Sequence, residues 1–146
     1  MRMSTRGRYG LRVMMELAAN YGHGPMPVDV IAKNQGISRK YIHLLVTGLR
    51  SAGLVRTVRG PNGGYELAKK PSAITALDVV SVLEGWTGPV ECVVDVDSCP
   101  RAGRCAARDL WRDVASAVDG VLSANSLARL SASQRAKHEE PPDYCI

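Results

Sequence analysis

No run in the 146 residues approaches the roughly 18 consecutive apolar positions that a bilayer-spanning helix requires. An integral membrane protein is therefore not expected. The first ten residues are basic but lack the apolar stretch of an export signal, so the expected location is the cytoplasm. In that reducing compartment the four cysteines are expected as thiols or metal ligands rather than disulfides. Histidine is scarce: His23, His43 and His138 are scattered, and no nucleophile–base pair or phosphate-cradling loop accompanies them, so an enzyme is not expected. Internal repeats are absent. So is the CxxC spacing of zinc ribbons and common ferredoxins.

What the chain does have is charge, unevenly placed. Residues 1–70 hold 12 Lys and Arg against 3 Asp and Glu, whereas residues 71–146 hold 7 against 11. The net charge of +9 on the first part and −4 on the second points to a polyanion gripped by the front half only. A merely solvated basic surface would give the same count, so the charge needs a structural partner to carry meaning.

The periodicity supplies one. Leu11, Met14, Met15 and Ala18 recur at helical steps and predict an amphipathic helix over 8–20. Gly22, Gly24, Pro25 and Pro27 break it. Short helices follow over 28–34 and from Ser38, a good N-cap, to about Ser51. Between them Ala32 lies four positions after Val28, and Gly36 four further on. A small residue lets two helices approach, and a glycine turns the chain at positive φ. Ile37 and Ile42 complete the spacing of a helix-turn-helix. Ser38, Arg39, Tyr41 and His43 then fall on the N-terminal, solvent-facing part of a recognition helix, the part that meets base edges in a major groove. Arg39, Lys40 and Arg50 suit phosphates.

Two β-prone runs come next, 54–59 and 65–67, joined by Gly60-Pro61-Asn62-Gly63-Gly64. A hairpin carrying Arg56 and Arg59, placed directly after a recognition helix, reads as a wing. Arg59 near its tip can enter a narrow minor groove, and the glycines of the Gly60-Pro61-Asn62-Gly63 tip let backbone amides approach phosphates closely. Thr75 and Asp78 have capping-box spacing and start a further helix with Leu77, Val80 and Leu83 as apolar positions.

Regularity stops from Gly85 to Arg104. Cys92 and Cys99 lie there and Cys105 follows at once, at the start of the next helix. Three thiolates on a flexible loop can surround a soft metal or cluster, and the helix dipole favours the thiolate of Cys105. Inert loop cysteines would show the same spacing. The stripe Ala107, Leu110, Trp111, Val114, Val118, Val121 and Leu122 then marks a long helix with its own apolar face, which could cover its own domain's core but is a natural dimerisation element. From about Ser131 to the end the chain is polar and is expected to form a loose tail.

The segments Arg2 to Tyr9, Gln35-Gly36-Ile37-Ser38, Gly53-Leu54-Val55 and Val58 to Tyr65 resemble the winged-helix regulator family that contains IscR, NsrR, RirA and CymR. The likeness extends to about Leu130. It implies a mainly α fold with a small β-hairpin: a winged helix-turn-helix over 1–84, a cysteine-bearing loop over 85–105, a dimerisation helix over 106–130, and a tail over 131–146. It also implies a homodimeric repressor that binds a palindromic operator in double-stranded DNA. By resemblance Ser38, Tyr41, Arg59 and Pro61 fall where IscR touches DNA, while His43 replaces its glutamate. The likeness implies an iron–sulfur cluster, 2Fe–2S or 4Fe–4S, on Cys92, Cys99 and Cys105. IscR places a histidine ligand where this chain has Arg108, whose guanidinium cannot ligate. That leaves Glu91, Asp95, Asp97, His138, Cys145 or an external group as the fourth donor. CymR-like members work without a cluster, so regulation by thiol oxidation, zinc or a partner protein stands as the alternative. A protein-interaction module that has lost DNA binding is a third reading.

Overall fold

The computed structural model describes residues 2–85 and 88–139. The chain runs α1 (Thr5–Ala19), α2 (Val28–Gln35), α3 (Arg39–Ser51), β1 (Val55–Val58), β2 (Gly64–Leu67), α4 (Ala76–Glu84), the one-turn α5 (Glu91–Val94), α6 (Ala106–Ser123) and α7 (Leu127–Glu139). The two strands form an antiparallel hairpin in which Val55 pairs with Leu67 and Val58 with Gly64. This is the mainly helical winged-helix fold that the resemblance implies.

Helix α1 starts three residues earlier than its apolar stripe predicts, because Ser4 caps it by accepting from the Arg6 and Gly7 amides. A second acceptor comes from far along the chain. Glu84, at the end of α4, takes the Gly7 N–H at 2.9 Å and bonds the Ser4 hydroxyl. A carboxylate at a helix N-terminus is favoured by the dipole, so it both caps α1 and fixes α4 across it. Gly7 and Gly10 make that approach feasible. A Cβ on Gly10 would lie 2.0 Å from Leu83 Cδ1.

The helix-turn-helix follows its predicted chemistry. Gly36 ends α2 in the left-handed region at φ 64°, and the Ile37 amide donates back to the Ala32 carbonyl at 3.2 Å. Ser38 caps α3 by accepting from Tyr41 N. Ile31, Ile42, Leu45 and Leu49 are fully buried and join Val13, Met14 and Leu17 of α1 in one core, closed by Leu54, Val55, Tyr65 and Leu67 of the hairpin. Thr75 and Asp78 form the expected reciprocal capping box on α4.

The C-terminal part departs from expectation. Composition predicts a loose tail from about Ser131, yet residues 127–139 form α7, which packs along α1. The reason is anchoring rather than periodicity. Leu127 is fully buried in the core and its amide donates to Ile74 O at 2.8 Å, while Ala76 N donates to Asn125 O at 2.8 Å. These bonds return the chain to the head after α6. The polar face of α7 is mostly solvated, so its sequence carries little amphipathic signal. Cys145 lies outside the described residues.

Candidate nucleic-acid interface and cysteine loop

The buried stripe of α3 leaves Ser38, Arg39, Lys40, His43, Leu44, Thr47 and Arg50 exposed. Beside it, Arg56, Arg59, Gly60, Pro61 and Asn62 of the hairpin are exposed and Gly63 is half-buried. A cleft of about 310 Å³ separates helix from hairpin, with His43, Thr57, Gly60 and Gly63 on its walls. The predicted helix and wing thus form one continuous surface.

The wing is held by its glycines. Gly64 lies against the backbone of Met26, where a Cβ would sit 2.1 Å from the carbonyl oxygen. That contact permits a reciprocal pair: Met26 N donates to Tyr65 O at 2.8 Å, and Tyr65 N donates to Met26 O at 2.9 Å. A Cβ on Gly63 would meet Val58 O at 2.2 Å. Gly60 turns the tip at φ 115°.

The cations of this surface differ in availability. Arg39 pairs with Asp29 at 3.1 Å, and Arg56 with Glu66 across the hairpin at 2.6 Å. Among the described residues Lys40, Arg50 and Arg59 have no carboxylate partner and are the readiest for phosphate. Tyr41 departs from its predicted solvent-facing place. Its ring packs edge-on to Tyr9 at 6.1 Å between centroids, and its hydroxyl is buried without a hydrogen-bond partner among the described residues. The partner ring belongs to α1, which local spacing does not reveal. His43 shares a hydrogen bond between Nδ1 and the Tyr65 hydroxyl. Burial raises the pKa of Tyr65, and the nearby Arg50 charge lowers it by less. Sequence reasoning missed Leu44, which is 55% exposed on the recognition surface. Its signal was legible: it lies off the stripe of Ile42, Leu45, Val46 and Leu49, where an apolar group can meet a thymine methyl.

Cys92 sits on α5, Cys99 ends a short 3-10 turn, and Cys105 occupies the N-cap of α6. All three are free and half-buried. Asp95 is used locally, since its carboxylate accepts from Asp97 N at 3.0 Å. Arg108, one turn into α6, donates from Nε to the Cys92 carbonyl at 2.7 Å and ties the loop to the helix. Among the described residues no three His, Cys, Asp or Glu side chains converge on a single metal-sized point. The donor chemistry still fits an iron–sulfur cluster, which spreads its thiolates over two or four irons and does not need all three to meet at one ion.

Helix α6 buries only Ala115, while Leu110, Trp111 and Val121 are 59%, 40% and 65% exposed. No helix among the described residues is long and apolar enough to cross a membrane.

Comparison with known proteins agrees with this architecture. Residues 3–133 match the Rrf2 family, described as "Iron-dependent Transcriptional regulator". The chain is 42% identical over 139 residues to the HTH-type transcriptional regulator CymR of Bacillus subtilis (strain 168), covering 95% of this chain and 96% of that one. It is 37% identical over 130 residues to the HTH-type transcriptional regulator IscR of Aliivibrio salmonicida, covering 89% and 77% respectively. The solved structure of CymR, the global cysteine regulator of B. subtilis, superposes with a TM-score of 0.78 at 42% identity, covering 91% of this chain and 98% of that one. These relatives are named as transcriptional regulators, not enzymes. The chain belongs to the Rrf2 family of DNA-binding, winged-helix transcriptional regulators.

Proposed function

We propose that this regulator is a cytoplasmic homodimeric repressor that reads a palindromic operator through α3 and the wing, under control of an iron–sulfur cluster on Cys92, Cys99 and Cys105. The observation that carries the reading is the pairing of an exposed recognition helix with a glycine-tipped wing whose Arg59 has no carboxylate partner among the described residues. Ser38, Arg39, Lys40 and His43 face the major groove, and Arg59 with Gly60 to Gly63 faces the adjacent minor groove and backbone. Arg50 and Arg56 contact phosphates at the edges. Tyr41 supports the helix from within through Tyr9.

A second copy of the chain covers the exposed Leu110, Trp111 and Val121 face of α6. Two heads then read half-sites about one helical turn, ~34 Å, apart. When bound, the cluster supplies a group that iron supply, oxidants or nitric oxide can build or destroy. The protein translates that change. Cys92 and Cys105 flank the joint between the DNA head and α6, and Arg108 holds the two sides together. A tenfold change in operator affinity needs only ~1.4 kcal/mol of difference between joint arrangements.

The likeness to CymR favours a second reading, in which the same thiols act by oxidation without a cluster. Anaerobic purification followed by iron and sulfide analysis decides between them. Two or four irons per chain with matching sulfide support the cluster. Colourless, iron-free protein whose operator affinity responds to thiol oxidation supports the second reading.

A further inference from the structure

We infer that Tyr65 fixes the tautomer of His43, so that the recognition helix offers the DNA duplex an Nε2–H donor there and no ring acceptor. The inference rests on α3 being the recognition helix, and it specifies what one position of that helix can bind.

Tyr65 is 8% exposed and is locked in β2 by its two backbone bonds to Met26. Its hydroxyl meets His43 Nδ1 at 2.5 Å, with the rings nearly edge-to-face at 5.8 Å between centroids. Tyr65 belongs to the wing and His43 to the helix, so this bond joins the two DNA-facing elements. A phenol is an O–H donor, and burial holds its proton more firmly than in water. No other partner for that hydroxyl occurs among the described residues. If Nδ1 carried the imidazole proton, it would donate to the phenol oxygen, and the phenol O–H would be left without an acceptor among the described residues. The balanced arrangement has the Tyr65 O–H donating to Nδ1. A neutral imidazole then keeps its single proton on Nε2.

His43 is itself exposed and opens on the cleft between helix and wing. An Nε2–H on this exposed ring requires an acceptor on the duplex: guanine N7 or O6, adenine N7, thymine O4, or a phosphate oxygen. The amino groups of cytosine and adenine are excluded, because they are donors themselves. The shared chemistry is therefore an acceptor, and its source is either a base edge or the backbone.

The test uses the full chain, the Tyr65→Phe and His43→Ala variants, and a duplex selected by the wild-type protein from a random pool. In ¹⁵N-labelled free protein near neutral pH, His43 is expected to show a pyridine-like Nδ1 and a pyrrole-like Nε2. Tyr65→Phe keeps the ring and should convert this to a tautomer mixture. A pyrrole-like Nδ1 in the wild type, or an unchanged pattern in Tyr65→Phe, overturns the inference. On the selected duplex His43→Ala should lose roughly three- to tenfold in affinity, one hydrogen bond's worth. If that loss disappears when one base pair is replaced by an analogue lacking N7 or the carbonyl oxygen, the acceptor is a base edge. If it persists on every sequence with an unchanged salt slope, the acceptor is a phosphate met by a neutral donor. An unaltered affinity in His43→Ala refutes the contact. Wild-type protein that does not prefer the selected duplex to a scrambled one refutes the recognition-helix reading instead, and the nitrogen shifts remain decisive for the tautomer.

Discussion

Replacing Gly64 by alanine tests how the wing is attached to the head. The new Cβ would lie 2.1 Å from Met26 O and 2.4 Å from Met26 C, and both atoms are backbone with little room to yield. Relief requires β2 to move away from Met26 by more than an ångström, which breaks the bonds of 2.8 and 2.9 Å between Met26 and Tyr65. Two lost backbone hydrogen bonds cost about 1–3 kcal/mol, and partial exposure of the Tyr65 ring adds about 1 kcal/mol. The total of about 2–4 kcal/mol is a large part of the 5–15 kcal/mol typical of a domain. At about 2–4 °C per kcal/mol the melting temperature should fall by roughly 5–15 °C. The displaced strand also carries the partner of His43 and pairs with the strand leading to Arg59, so operator affinity should drop further than foldedness alone explains. Thermal unfolding and a salt series of duplex binding read both effects. Gly120→Ala is the control: it lies inside α6 with nothing within 4 Å of its Cβ, and should gain about 0.5–1 kcal/mol from helix propensity. A Gly64→Ala protein with wild-type melting and binding would refute the steric account of the wing.

Three further outcomes follow. Arg59→Ala should weaken operator binding and reduce the slope of log K against log salt by about 1, as expected for a lost phosphate contact; an unchanged affinity removes the wing from the interface. Leu110→Asp combined with Val121→Asp should give a monomer in sedimentation and cost at least about tenfold in affinity for a two-half-site duplex, through lost effective concentration. A persistent dimer would place the interface elsewhere. Arg108→Ala removes the bond to the Cys92 carbonyl and should speed alkylation of Cys92 and amide exchange over 91–105 by roughly threefold or more. Equal rates would show that the loop is held by other contacts.

Local chemistry makes much of the DNA head legible in the sequence. Ser38, Gly36 and the Thr75–Asp78 pair act within one turn of themselves, so their spacing alone located the ends of α2, α3 and α4. The wing was readable for the same reason, since its glycines and Arg59 lie within one hairpin. What escaped depends on partners distant in sequence. Glu84 caps α1 from 77 residues beyond Gly7. Tyr41 turns inward because Tyr9 of another helix offers its ring. Helix α7 forms where composition predicted a tail, because Leu127 and the bonds to Ile74 and Ala76 hold its start. The three thiols mark the cysteine loop in the sequence, but the tie from Arg108 to the Cys92 carbonyl involves a backbone atom that no residue pattern encodes.

The central claim is that two copies of this chain grip a duplex sequence-specifically through α3 and the wing. Its most direct test is competition between the duplex upstream of the protein's own coding region and random duplex of equal length. The measurement uses pure dimer at fixed salt, in iron-loaded, iron-free, reduced and oxidised forms. At least one form should favour the upstream duplex by roughly a thousandfold or more, the lower end for specific binders. Equal binding to both duplexes in every form would contradict it.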